Sequence, residues 1–465
     1  MRLGIFFSFS TVWGGAGCAD EKRPCPIGTV RAPSGECVRD EDAGDVVCES
    51  DAECDIDANP CTVDRCVSGV CETSPDGLDA DEDGFVSTAC GGDDCEDTNP
   101  IVPIEGEICN GVDDDCDTIV DEGLYVAGTD VQISDDFAVN VSLARVHEGA
   151  GYGVLWVRDT TWEIVFQLLD EDGAPLGDAQ PLSGVRKRTD VPGHVALVGV
   201  PGGFVAGWGQ EGLVQHAFIS LESGPEFPGF IESLGKTEAR HVDAAYSGAV
   251  LGLAWIGIDS FYWPTWAILE LDGTIVSGPT REENTTPPTV RIEWLGDRFG
   301  LLFETPEAGN ILLLDETGTV LGSGAFTDGT AATPAAVREG DLVHVVWSDR
   351  KALAVYHRVL GADGARVSNE LVIGPGGYSA DVAGDGAGVL AAWIVGDGDY
   401  WGELQARVIG AGLEADPVAD AVILPADDRA DLYTPPSVVA GPDRGFGIAF
   451  GAQSGGVFFD RIVCE

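Results

Sequence analysis

From residue 124 onward the chain repeats one hydrophobic signature, an apolar run that closes on an aromatic. The copies are Val154-Leu155-Trp156, Val205-Ala206-Gly207-Trp208, Leu253-Ala254-Trp255, Leu301-Leu302-Phe303, Val345-Val346-Trp347, Ala391-Ala392-Trp393 and Ile448-Ala449-Phe450. Successive aromatics lie 44 to 57 residues apart, close to the length of one four-stranded propeller blade. Within the copies a further strand pair is broken by tight-turn signals: Asp170-Glu171-Asp172-Gly173, Asp272-Gly273, Asp315-Glu316-Thr317-Gly318 and Asp363-Gly364. Their glycines supply the positive φ that a hairpin needs. No long segment carries capped helical periodicity, so residues 124–465 are expected to be all-β, a seven-bladed β-propeller. The last copy stops after Phe458-Phe459-Asp460-Arg461-Ile462-Val463 and lacks an outermost strand. Residues 124–134 look like the closing half of a repeat and are expected to supply it, which hides the open sheet edges. Cys464 would then arrive near the N-terminal cysteines, where a bridge can lock the ring. The alternative, a non-closed pair of sandwiches, sits poorly with seven regular copies.

The pattern changes completely ahead of residue 124. Residues 1–18 hold one basic residue, an apolar run over 3–13 and then Gly14-Gly15-Ala16-Gly17-Cys18. That stretch is too short to span a bilayer and reads as a signal peptide. Its end resembles a bacterial lipobox, with Cys18 as the lipidated residue, although Gly15 stands where that motif has a bulky aliphatic. The resemblance implies a membrane partner through a lipid anchor; cleavage to a soluble secreted form is the alternative. Residues 19–71 form a cysteine-rich zone and 72–123 an acidic one, both too small for a good hydrophobic core, so disulfides and metal must substitute for burial. The chain has 13 cysteines. Setting Cys18 aside leaves an even number, all but Cys464 between Cys25 and Cys116, a density that belongs in an oxidising compartment. Zinc fits poorly, because all six histidines lie outside this cluster and paired CxxC spacings are missing.

Charge narrows the partners. With 25 basic residues against 79 acids the net charge is −54, which argues against nucleic acid and anionic lipid surfaces and leaves divalent cations as natural counterions. Much of that acidity serves solubility, but the clusters call for chemistry. Asp79-Ala80-Asp81-Glu82-Asp83-Gly84-Phe85 places carboxylates at alternate positions ahead of a glycine, like the front half of an EF-hand loop. Asp79, Asp81, Asp83 and Phe85 are its candidate ligands. Cys90 occupies the twelfth position where such a loop has a bidentate glutamate, so the missing ligands must come from Asp93, Asp94 or Asp97. A second cluster offers Asp113, Asp115, Asp117, Asp121 and Glu122. Crowded carboxylates repel when empty, and a bound Ca²⁺ relieves that repulsion and adds to folding. A solvated acidic linker is the alternative, against which the interspersed Cys90, Cys95, Cys109 and Cys116 argue.

The run Asp94-Cys95-Glu96-Asp97-Thr98-Asn99-Pro100, then Glu107-Ile108-Cys109-Asn110-Gly111-Val112-Asp113-Asp114-Asp115-Cys116-Asp117, then Asp121-Glu122-Gly123 resembles the MopE-type metal-binding repeat of bacterial surface proteins. Thr118 stands where that pattern usually has glycine. The resemblance implies metal binding and surface display rather than catalysis, and the all-oxygen ligand set suits calcium better than copper. In the repeats, the strand-end tryptophans read as packing residues rather than sugar platforms, and the histidines as structural. Motifs for acyl or phosphoryl transfer and for zinc hydrolysis are missing. The expectation is a non-enzymatic cell-surface lipoprotein whose calcium-ordered stalk displays a propeller for an unknown protein or glycan ligand. The competing reading is a secreted propeller hydrolase or lyase acting on polysaccharide through an acid pair in the central channel.

Overall fold

The structure is a computed structural model. It describes residues 125–464 apart from 184–193, 211–212, 233–237, 259–260, 284–286, 397–400, 411–421, 424–429, 432–435, 442–444 and scattered single positions. Ahead of them it describes 29–31, 37–39, 61–74, 83–97, 114–116 and a few neighbours, including 79–81. The chain divides into two compact units, Met1–Ile104 and Glu105–Glu465. Residues 1–18, with the expected signal and Cys18, lie outside the described residues.

The second unit is a seven-bladed β-propeller. Blades 1 to 5 are four-stranded antiparallel sheets that follow the chain without crossovers. In blade 3, for example, Glu238–Tyr246, Leu251–Ile258, Tyr262–Leu269 and Ile275–Arg281 run from inner to outer edge. In blade 6, Val422–Ile423 and Ala430–Asp431 both pair with the third strand, Trp401–Gly410. Blade 7 takes Ser437–Ala440, Phe446–Gly451 and Val457–Cys464 from the C-terminus, and its outer edge from Tyr125–Ala127 and Val131–Ser134. The ring is thus closed by the strands expected to close it. The backbone of Cys464 pairs with Tyr125; its side chain is outside the described part.

The seven aromatics of the repeat all fall on the second strands and are all buried, from 0% exposure at Trp156, Trp255 and Trp393 to 3% at Phe303. Each belongs to the cluster shared with the preceding blade. Trp255 packs with Val205 and Val214 of blade 2, Trp347 with Leu302 and Phe326 of blade 4, and Trp156 with Val457 and Phe459 of blade 7. Seven such clusters occupy the seven blade interfaces. Each second strand is covered on both faces, which explains why its sequence is continuously apolar rather than alternating. The outer strand of blade 1, Pro175–Pro181, is mostly exposed and carries no continuous apolar run.

The turn signals behave as their chemistry requires. Gly173, Gly273, Gly318 and Gly364 all have φ between 75° and 85°. In the same turns the aspartate carboxylates accept backbone N–H groups two residues on, from Thr274 to Asp272 and from Thr317 to Asp315.

The N-terminal unit is built differently. Its described hairpins, Thr29–Arg31 with Cys37–Arg39 and Val63–Val67 with Val70–Ser74, are short. Cys48–Cys66, Cys54–Cys71 and Cys61–Cys90 staple the second hairpin to its flanking segments in an interleaved order, each half-cystine pairing with the third one after it in this set. Cys95 is also disulfide-bonded, as is Cys116 in the second unit. Disulfides at this density place the chain in an oxidising, extracellular or exported setting. Among the described residues no helix is long and apolar enough to cross a membrane.

Candidate metal centre

The acidic loop closes on itself through its own carboxylates. Gly84, at φ 102°, turns the chain so that its N–H reaches Asp79 Oδ2 at 3.0 Å. The N–H of Asp83 donates to Asp81 Oδ1 at 3.2 Å and that of Phe85 to Asp83 Oδ1 at 2.8 Å. These bonds bring one carboxylate oxygen each from Asp79, Asp81 and Asp83 within 4.8 Å of one another. Phe85 offers only its backbone carbonyl as a ligand, since its phenyl ring carries no donor atom, and that ring is exposed.

The chain then doubles back to deliver the fourth acid. After Val86, the 3-10 turn Thr88–Cys90 ends on Gly91, left-handed at φ 83°. The next residue must also be glycine, because a Cβ on Gly92 would stand 1.8 Å from the Val86 carbonyl oxygen. Asp94 follows, bridged in parallel to Ser87, donating to the Val86 carbonyl and accepting from Thr88 N–H through its own carbonyl. Its side chain is fully buried, with Oδ1 bound by the Glu96 N–H at 2.8 Å. Asp97 accepts the Ala80 N–H at 2.8 Å, which ties the return strand to the start of the loop. Cys61–Cys90 staples the same turn to the cysteine-rich hairpin.

What distinguishes this cluster from a solvated acidic face is its unmet demand. Asp79 Oδ1, Asp81 Oδ2 and Asp94 Oδ2 are shut off from solvent and receive no hydrogen bond from any described residue. Buried acceptors without donors are rare because each costs free energy. Loss of water raises the Asp81 carboxyl above its ordinary range, with repulsion from Asp83, Asp94 and Asp79 adding to it. Asp94 is raised in the same way, by burial and then by Asp83, Asp97 and Asp79. Five aspartates therefore share one electrostatic site whose donors are all oxygen, the set that suits a hard cation. Asp93, by contrast, is exposed.

Of the second cluster, Asp115 is described and half-buried beside a fully buried Asp114. Asp113, Asp117, Asp121 and Glu122 lie outside the described residues. A sulfur cluster of Cys48, Cys54 and Cys71 also occurs, but all three sulfurs are in disulfides, and only a thiolate binds metal well.

The ring axis holds a second polar constellation that the sequence pattern does not announce. Ser142, Asp243, Arg291, Asp381 and Ser437 sit on inner strands, each opposite the residue that precedes its blade aromatic. Four of them accept a backbone N–H from the next blade: Ser142 from Leu197, Asp243 from Ile292, Asp381 from Val438 and Ser437 from Leu143. Arg291 instead bridges Asp381 at 2.5 Å and Asp243 at 3.8 Å. His194 and His241 stack beside it at 4.4 Å between ring centres. Burial holds both imidazoles below their ordinary range, His241 to about 4. These groups keep some contact with channel water, yet protein surrounds them on all sides. With Thr289 and Thr333 they leave a cavity of only ≈ 20 Å³, room for a water-sized guest.

No protein-family model matches the chain, and no curated protein matches it in sequence. Among solved structures it is similar to a chain of a mitotic checkpoint complex crystal structure, at 11% identity over 72% of this chain and 93% of that one, TM-score 0.48. It is also similar to a chain from the crystal structure of BBS1N in complex with ARL6DN, at 11% identity over 73% and 97%, TM-score 0.47. At that identity neither transfers a partner to this chain.

Proposed function

We propose that this is an exported, non-enzymatic surface protein. A calcium-ordered, disulfide-stapled N-terminal segment, anchored through a lipid on Cys18, presents the propeller to a protein or glycan ligand. The observation that carries the metal reading is the set of buried, donor-free oxygens on Asp79, Asp81 and Asp94. A divalent cation answers that demand and neutralises five converging carboxylates, with Asp83, Asp97 and the Phe85 carbonyl completing its shell. The likeness of residues 94–123 to MopE-type repeats supports the same reading, and extends it to Asp113, Asp115, Asp117, Asp121 and Glu122.

The channel chemistry favours binding over hydrolysis. A propeller glycosidase would need a free acid pair at the axis. Of the three acids that interact there, Asp243 and Asp381 are both held by Arg291 and by backbone N–H groups, and Glu293, which burial and then Asp243 raise well above its ordinary range, is a single acid rather than a pair. A carboxylate so committed is poorly placed to pass a proton to substrate. Turnover of a polysaccharide by the purified chain would reverse this preference.

Calorimetric titration of the metal-stripped chain tests the centre. Calcium is expected to bind and, at a hundredfold excess over Kd, to stabilise the N-terminal unit by about 2.7 kcal/mol. Asp81→Asn and Asp94→Asn should each weaken binding at least about tenfold, since every lost ligand charge removes a share of the attraction. An unmoved melt and no heat at millimolar calcium would overturn the calcium assignment.

A further inference from the structure

Ring closure depends on two short strands, Tyr125–Ala127 and Val131–Ser134, laid against Val457–Cys464. After the first of them Gly128 donates to the Arg461 carbonyl at 2.6 Å; a Cβ there would lie 3.3 Å from Asp460 Oδ1. Asp130 bears on Asp460 both as a charge and as a hydrogen-bond partner.

Asp460 is fully buried in the middle of the closing strand. Its Oδ1 accepts the Arg461 N–H at 2.7 Å. Its Oδ2 receives no N–H or O–H from any described residue and is shut off from solvent. The titratable side chain that bears on it is Asp130. The adjacent cation does not help, because the Arg461 guanidinium is turned to Asp172 at 3.3 Å. Two carboxylates facing each other inside protein cannot both stay ionised, whereas one proton between them makes a charge-assisted O–H···O⁻ bond.

We infer that the seam closing the propeller is a proton-operated latch, in which Asp130 and Asp460 share one proton and bind the N-terminal strands to the last one. Burial, and then the Asp130 carboxyl, raise Asp460 to about 6. The folded-state value lies above that of the unfolded chain, so the stabilisation is complete below about pH 4 and is lost as pH rises through 6. Below that range the ring is latched. At neutral pH the seam loses this contribution, and it is formed by the strands into which the N-terminal segment leads.

The test is the thermal melt of the full chain from pH 4.5 to 7.5, in wild type, Asp460→Asn and Asp130→Asn. An asparagine amide donates to the remaining carboxylate at every pH. The melting temperature of each variant should therefore climb against wild type by roughly 2 °C or more between pH 5 and pH 7, while contributions from other groups cancel. A difference independent of pH overturns the latch. If neither variant folds, carboxyl ¹³C NMR of wild type with Asp460 assigned decides: Asp460 titrating near pH 6 supports the latch, and Asp460 titrating below 5 refutes it. Loss of the wild-type effect on adding a chelator would assign the pair to a metal instead, and would equally overturn it.

Discussion

The two compact units solve the same problem with opposite chemistry. The propeller buries a continuous wall of apolar side chains at every blade interface, and its polar groups are mostly paired along strands or across the axis. The N-terminal unit has almost no apolar burial among its described residues; Cys48, Cys54 and Val102 are its buried hydrophobics. What holds it is the interleaved set Cys48–Cys66, Cys54–Cys71 and Cys61–Cys90, with a carboxylate cluster beside it. A small segment cannot recover its chain entropy from burial, so covalent bridges take over that role. The contrast teaches that stability is separable here: conditions that attack one unit should spare the other.

Reduction gives the largest expected separation. Each bridge contributes about 2–4 kcal/mol, and three of them tie one short unit, so dithiothreitol should unfold it and abolish calcium binding. Apart from Trp13, every tryptophan lies beyond residue 124, so the tryptophan fluorescence melt reports the ring and should shift little. A ring that melts together with the reduced N-terminal unit would mean the two are not separable. The reciprocal experiment is Trp255→Ala. That indole is fully buried between blades 2 and 3, and its truncation should cost about 3–5 kcal/mol in urea unfolding with no change in calcium affinity.

The same contrast governs what could be read in advance. The ring was legible because one physical requirement, a second strand buried on both faces, recurs in every blade and so prints the same apolar run and aromatic each time. Even the closing strand showed, since the last copy ends early and residues 124–134 carry the missing half. The ligand loop was partly legible: Asp79, Asp81 and Asp83 by their spacing with Gly84, and Asp94 and Asp97 as the acids within reach. The burial of Asp94 was not, because it depends on Gly92 allowing the chain to double back. Cystine pairing such as Cys61–Cys90 depends on tertiary approach and has no local signal. The axial network was missed for another reason. Asp243, Arg291 and Asp381 sit at one repeat position whose residue type varies with its role, so no pattern of hydrophobicity marks it. Aligning the copies on their aromatics would have brought these residues into a single column.

The histidines sharpen the comparison at its smallest scale, because they place a pH response inside the propeller rather than in the unit that carries the Asp79, Asp81 and Asp83 cluster. His344 and His357 lie on neighbouring strands of blade 5, 0% and 2% exposed, with Nδ1 of one 3.0 Å from Nε2 of the other. One ring must donate and the other accept, so the bond survives only while the accepting ring is neutral. Burial, and then His344, hold His357 down to about 3. In the unfolded chain the same imidazole takes up its proton near pH 6.5, so the folded state loses ground as pH falls below that value, by about 2 kcal/mol at pH 5. This runs against the seam, which gains from acid over much the same range. Replacing both rings, His344→Leu with His357→Leu, removes the donor and the acceptor of this bond together and should flatten the acid side of the urea midpoint against pH. An acid slope that persists in the double variant would remove this pair as its source, and would shift attention to His194 and His241 at the axis.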